Sequence, residues 1–146
     1  MNKNKIYALM KFAREEMNYK RDEISFNDCS VCSYTSIIEC PAGEYQVFTD
    51  SEADEATKEN IIETLWAFNA SWLSNYLGIP EEAIEAIKNQ MYENASPVFL
   101  KMIDDIDGFI QDTISADGRG HFLASYDHVE HEIQYNNQTF YIYRTN

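Results

Sequence analysis

Two β-rich stretches bracket a long run of helical periodicity, and this arrangement constrains the fold more than any other feature of the 146-residue chain. Between residues 51 and 114 the apolar residues recur at spacings of three and four, the repeat of helices that bury one face. Ile61, Ile62, Leu65, Trp66 and Phe68 predict the buried side of a helix over 51–68. Thr49-Asp50-Ser51-Glu52 supplies the capping residues and first-turn acids that suit its N-terminus. Asn69-Ala70-Ser71 breaks or re-caps the chain, and Trp72, Leu73, Tyr76 and Leu77 mark a short helix with Gly78 at its left-handed stop. Pro80 opens the next helix at a position where a missing N–H costs nothing, with Ala83, Ile84, Ile87 and Met91 as its apolar face. Ser96-Pro97 caps a last long helix, whose stripe is Phe99, Leu100, Ile103, Ile106, Phe109, Ile110 and Ile114.

On the N-terminal side, residues 31–39 are rich in β-branched and aromatic side chains and read as one strand. Pro41-Ala42-Gly43-Glu44 turns the chain, and Tyr45-Gln46-Val47-Phe48-Thr49 returns, so a hairpin is expected near 31–49. On the C-terminal side, Asn136-Asn137 is a tight turn between 132–135 and 139–143, a second hairpin near 132–143. Phe122-Leu123-Ala124 reads as a short strand after the sharp turn at Asp117-Gly118-Arg119-Gly120-His121. Ahead of all this, Ile6, Leu9, Met10, Ala13 and Met17 predict a basic amphipathic helix over 5–20. The expected fold is a helix-rich α+β single domain over 1–146 with a small antiparallel sheet. Its length suffices to bury roughly 68% of the unfolded surface.

Three stretches resemble small acidic proteins of unassigned function encoded by bacteriophages. They are Tyr45-Gln46-Val47-Phe48-Thr49-Asp50-Ser51-Glu52-Ala53-Asp54-Glu55, then Leu65-Trp66-Ala67-Phe68-Asn69, then Asp117-Gly118-Arg119-Gly120-His121-Phe122-Leu123-Ala124-Ser125-Tyr126-Asp127 with the ending Phe140-Tyr141-Ile142-Tyr143-Arg144. The DGRGHxLxxYD string is the most specific part, and His128 stands where that family often carries glycine. The resemblance spans roughly 45–146 and implies a phage origin and a host-cell cytoplasm. Residues 1–44 lie outside it and are expected to be a variable N-terminal extension that selects a partner.

Charge narrows the partners. Residues 1–21 carry six Lys/Arg against Glu15 and Glu16, a net of +4, while residues 22–146 carry five against 23 Asp/Glu, a net of −18. Such a field repels nucleic acid and anionic membranes and attracts basic surfaces across a Debye length of about 8 Å. Apolar runs are too short for a membrane span, and charges interrupt the N-terminal apolar residues, so no signal segment is read and the expected location is the cytoplasm.

No Walker loop, dinucleotide fingerprint, nucleophile elbow or HExxH string occurs, and no cofactor or metal is expected. Cys29-x-x-Cys32 invites a zinc or redox reading, but no histidine lies before His121 and Ser33-Tyr34-Thr35-Ser36 is a poor helix start, so plain thiols are expected, Cys40 included. Enzyme-like side chains concentrate only at the C-terminal end. There Asp117, Arg119, His121 and Asp127 form a candidate ligand or partner loop, beside His128, Glu130 and His131. The same residues also read as a turn, its cap and an internal ion pair. Asp104, Asp105 and Asp112 on the last helix, with Glu52, Asp54, Glu55 and Glu59 on the earlier one, are candidate partner-binding carboxylates spaced to imitate phosphates. The acidity favours a non-enzymatic binding protein, and the resemblance to phage proteins implies that it inhibits or modulates a host nucleic-acid-binding complex, an anti-defence role with possible DNA mimicry. A small ligand-binding protein or enzyme using the Arg119 loop, and an accessory protein whose acidity serves solubility alone, stay open.

Overall fold

A computed structural model describes residues 3–146. In chain order it contains α1 (Lys3–Glu16), a 3-10 turn (Phe26–Asp28), β1 (Ser30–Val31), β2 (Ile38–Cys40), β3 (Gly43–Phe48) and α2 (Asp50–Glu63). A second 3-10 turn (Leu65–Ala67) leads to α3 (Ala70–Leu77), α4 (Glu81–Met91), α5 (Ala95–Met102), α6 (Ile106–Asp117), α7 (Arg119–Leu123), β4 (Glu130–Tyr135) and β5 (Gln138–Arg144). The fold is α+β, as the sequence predicts. The chain divides into two compact units, one formed by residues up to Ala56 together with Arg119–Asn146, the other by Thr57–Gly118.

The first unit holds an antiparallel five-stranded sheet in the order β1-β2-β3-β5-β4. Its centre is the β3–β5 pair, with Val47 opposite Ile142 and Phe48 opposite Tyr141. Alternation along β5 gives the sheet two apolar faces. Phe140 and Ile142 join the core that α1 covers with Ile6, Leu9, Met10 and Phe12. Tyr143 packs on the opposite side with Ala53, Leu123 and Ala124. Residues 3–44 are therefore integral to this unit, supplying α1, β1, β2 and the start of β3. Tyr45, 1% exposed, is tied down by its hydroxyl, which donates to the Ala42 carbonyl at 3.1 Å. The β4–β5 hairpin closes through Asn136 and Asn137 at φ 52° and 59°, the double left-handed turn that matches strand twist and that asparagine tolerates.

Two readings of this unit are corrected. Residues 31–39 are not one strand: β1 ends at Val31, and a turn follows in which the Ser36 amide donates to the Cys32 carbonyl at 3.0 Å with Ser36 at φ 56°. The run Ser33-Tyr34-Thr35-Ser36 prefers that turn despite its β propensity, because nothing packs on Tyr34, which is 96% exposed. Phe122-Leu123-Ala124 is likewise not a strand. Gly118, at φ 81° and ψ 156°, ends α6 and the chain re-enters helix at once as α7, with the Ala124 amide reaching the Gly120 carbonyl at 2.9 Å.

The second unit is helical, with Ile61, Leu65, Leu73, Ile84, Phe99 and Phe109 all at 1% exposure or less. Asn69 caps α3 by accepting from the Ser71 amide at 2.8 Å, and Gly78 ends it at φ 69°. The helix expected over 51–68 stops at Glu63, leaving Ile62 and Phe68 half-buried and Trp66 36% exposed. Ser96 is not a cap but a buried connector, its hydroxyl donating to the Glu63 carbonyl and accepting from the Trp66 amide, each at 3.0 Å. The last long helix is two helices, α5 and α6, separated at Ile103–Asp105 by the capping of Gly108 N–H to Asp105 Oδ1 at 3.0 Å. An aspartate able to satisfy an orphan amide outweighs continuous apolar periodicity here.

Phe109→Ala should cost about 3–5 kcal/mol by cavity formation, whereas Ile106→Asp, at the half-buried first residue of α6, should cost less. Asp105→Ala should cost about 1 kcal/mol through the lost cap. Urea unfolding of the three variants checks this order.

Candidate functional site

The Arg119 side chain, 11% exposed, is the centre of the C-terminal cluster. Gly118 turns the chain so that Arg119 begins α7, and Gly120 lets that helix approach β4: a Cβ there would lie 2.7 Å from both the His128 carbonyl oxygen and the Glu130 nitrogen. The guanidinium then donates from Nε and Nη2 to the two oxygens of Glu130, at 2.8 and 3.1 Å. From Nη1 it donates to Asp50 Oδ1 and Asp54 Oδ1, both at 2.9 Å, and to the Asp50 carbonyl at 3.2 Å. Its plane lies over the Tyr141 ring, 4.6 Å from the centroid. Tyr143 completes the set by donating to Glu130 Oε2 at 2.5 Å.

Burial works against the charge on Arg119, but its hydrogen bonds to Glu130 and Asp50 outweigh it and hold its pKa above the usual arginine range. Every guanidinium nitrogen is engaged by the protein itself. A fork matched to a carboxylate on one side and two more on the other is a brace between α2, α7 and β4.

The other loop candidates do not converge on Arg119. Asp117 is the exposed last residue of α6. His121 is exposed, its ring stacked on that of His128 at 5.5 Å, and His128 Nδ1 lies 3.3 Å from the His121 carbonyl. Asp127 accepts from the Val129 amide at 3.1 Å and faces His131 Nε2 at 3.8 Å. Among the described residues no group of three or more His, Cys, Asp or Glu is arranged to hold a metal ion. The sequence singles out Arg119 and Asp127 but not Tyr143 or the full partnership of Asp50, Asp54 and Glu130. Those residues are 69, 65 and 11 positions from Arg119. The one available signal was that Tyr141 and Tyr143 share a face of β5.

The candidate phosphate-mimicking carboxylates also separate. Glu52 pairs with Lys5 and Asp54 with Arg119. Asp105 caps α6, and Asp112 accepts from the Tyr76 hydroxyl at 2.8 Å. Asp104 lies in the break before α6, so Asp104, Asp105 and Asp112 do not share one helix. Asp104, Glu55 and Glu59 are exposed and without an ion-pair partner among the described residues.

The helical unit carries eleven Asp/Glu against three Lys/Arg, a net of −8. Among the described residues its one internal ion pair is Lys58–Asp107 at 3.6 Å. In the first unit, a cleft of about 520 Å³ is lined by Lys5, Cys32, Ser36, Phe48 and Glu52 among others. No described helix is long and apolar enough to cross a membrane. No protein-family model, curated protein or solved structure matches the chain.

Arg119→Ala should lower stability by about 2 kcal/mol by leaving three carboxylates facing one another, and Arg119→Lys by roughly half that through loss of the fork. Denaturant midpoints of the two variants test this, with a loss of the difference at high salt expected for the charge component.

Alkaline pH should also weaken the fold. Burial pushes Tyr45 up to about 12, and burial with Glu130 beside it holds Tyr143 higher still. Both phenols stay protonated in the fold while unfolded tyrosines ionise near pH 10. The unfolded chain then binds fewer protons, so stability is intact below about pH 10 and falls as pH rises beyond it. Urea midpoints from pH 8 to 11 should show that fall, and the Tyr45→Phe/Tyr143→Phe double variant should flatten it.

Proposed function

We propose that this chain is a non-enzymatic acidic binding protein that docks on a basic surface of a protein partner. The observation that carries this reading is the uncompensated carboxylate surface of the helical unit. Glu59, Glu63, Glu81, Glu82, Glu85, Glu93 and Asp104 have no ion-pair partner among the described residues. Exposed like charges on a small unit cost stability by mutual repulsion, and a basic partner relieves that cost while steering association. Packing accounts for Trp72 and Tyr76 of the same unit: Trp72 Nε1 donates to buried Thr113 at 3.3 Å and Tyr76 stacks edge-on to Phe109 at 4.9 Å. They are not a base-stacking platform, since such platforms accompany a basic groove.

The resemblance to small acidic phage proteins supports a finer reading. The partner is a nucleic-acid-binding complex of the host, met in the host cytoplasm, and the carboxylates occupy the groove that binds phosphates, an anti-defence role by DNA mimicry. The Arg119 loop supports catalysis less well, because its guanidinium is fully engaged internally.

This reading expects no affinity for labelled duplex DNA. It expects capture of a basic nucleic-acid-binding protein from host lysate at about 50 mM salt, with release near 300 mM or by added DNA. Glu59→Lys with Glu82→Lys, and separately Asp104→Lys, should weaken capture at least tenfold with unchanged melting temperature, since none of the three makes an ion pair among the described residues. Direct DNA binding, or capture indifferent to both salt and charge reversal, would overturn the reading.

A further inference from the structure

The β1–β2 ladder places two cysteines opposite one another that the Cys29-x-x-Cys32 spacing does not suggest. Ser30 faces Glu39 and Val31 faces Ile38, so one step further Cys29 faces Cys40. Cys29 has the extended backbone this requires, at φ −101° and ψ 125°. Opposed residues in an antiparallel ladder alternate between hydrogen-bonded pairs and closer, non-hydrogen-bonded pairs. The Cys32 amide donates to the Ile37 carbonyl at 2.9 Å, which fixes the phase. Counting back from Cys32–Ile37, the Ser30–Glu39 pair is hydrogen-bonded and Cys29–Cys40 is of the close type. In such a pair the Cα atoms stand about 4.5 Å apart with both side chains on one face, inside the roughly 4.4–6.8 Å that a disulfide spans. Both thiols are half-buried against the core under α1. Cys32, three residues from Cys29 along an extended chain, leaves on the other face.

We propose that Cys29 and Cys40 are an oxidisable dithiol, converted by a small disulfide oxidant such as oxidised glutathione into an intramolecular disulfide that staples β1 to β2. One protein thiolate attacks the small disulfide, forming a mixed disulfide and releasing one small thiol. The second protein thiolate then attacks the protein sulfur of that mixed disulfide, forming the Cys29–Cys40 bond and expelling the second small thiol. The protein loses two protons and two electrons, and the oxidant is reduced to two thiols. The staple would restrain the turn whose Cys32, Ser33 and Ser36 line the 520 Å³ cleft.

The surroundings set when this happens. Burial pushes Cys29 up to about 11, with the Cys40 charge adding to it, and burial also raises Cys40. The reduced pair is therefore protonated and slow at neutral pH, and its oxidation accelerates as pH rises. Cys32 is held below the usual thiol range by the Thr35 side chain and the Tyr34 and Thr35 backbone amides. It reacts first with an oxidant but has no thiol on its face to complete a ring.

The test incubates the full chain with oxidised glutathione at pH 7 and pH 9, alkylates remaining thiols and maps the products by peptide mass spectrometry. The expected product is a Cys29–Cys40 cross-link with Cys32 alkylated or glutathionylated, forming at least tenfold faster at pH 9. Cys32→Ser should retain the cross-link, and Cys40→Ser should leave only mixed disulfides. In 8 M urea the pairing should spread over all three cysteines. A folded-state cross-link to Cys32, no cross-link at either pH, or the same product distribution with and without urea overturns the proposal.

Discussion

Arg119 joins three segments that are far apart in the chain through one planar side chain. Asp50 and Asp54 come from the first turns of α2, Glu130 from the start of β4, and Arg119 itself from α7. The residues between Ala56 and Arg119 form the helical unit, so the brace joins the two chain ends at which that unit is inserted into the sheet-bearing one. A carboxylate triad is tolerable there only because a permanently charged fork lies among its members. The approach that makes it feasible depends on Gly120, since any side chain at that position would meet the backbone of residues 128–130.

That dependence changes the meaning of the most distinctive string in the chain. Read along the sequence, Asp117-Gly118-Arg119-Gly120-His121 is either part of a candidate ligand or partner loop or a turn with an internal ion pair. In three dimensions the carboxylate partner of its arginine is supplied from within, by Glu130, and the glycines serve a helix stop and a close contact. The Arg119 nitrogens, which would have to recognise a phosphate, are already used.

Acidity is partitioned as well. The sheet-bearing unit carries the basic residues of α1, several of them spent on internal contacts such as Lys5 with Glu52 and Lys11 with the Gln134 carbonyl at 2.7 Å. The helical unit keeps most of its carboxylates unpaired. The proposed docking on a basic surface draws on the unpaired carboxylates of the helical unit, while ion pairs such as Arg119 with Asp50, Asp54 and Glu130 brace the other.

The sequence by itself determined the elements whose signals are local. Helical periodicity located α1 to α4, Asn69 and Gly78 marked the limits of α3, and Asn136-Asn137 set the second hairpin, because caps, left-handed residues and amphipathic faces act within a few residues. It misjudged places where two local signals compete. The apolar stripe from Phe99 to Ile114 hid the break at Asp105, and β-branched content hid the turn at 33–36. What only the tertiary structure decided is everything that depends on register and on distant pairing: Ser96 bridging Glu63 and Trp66, Cys29 opposite Cys40 rather than paired with Cys32, and Arg119 among Asp50, Asp54 and Glu130. Charge and hydrogen-bonding capacity are written in each residue, but which partner satisfies them is fixed only when the sheet order and the close approach of α7 to β4 at Gly120 bring the segments together.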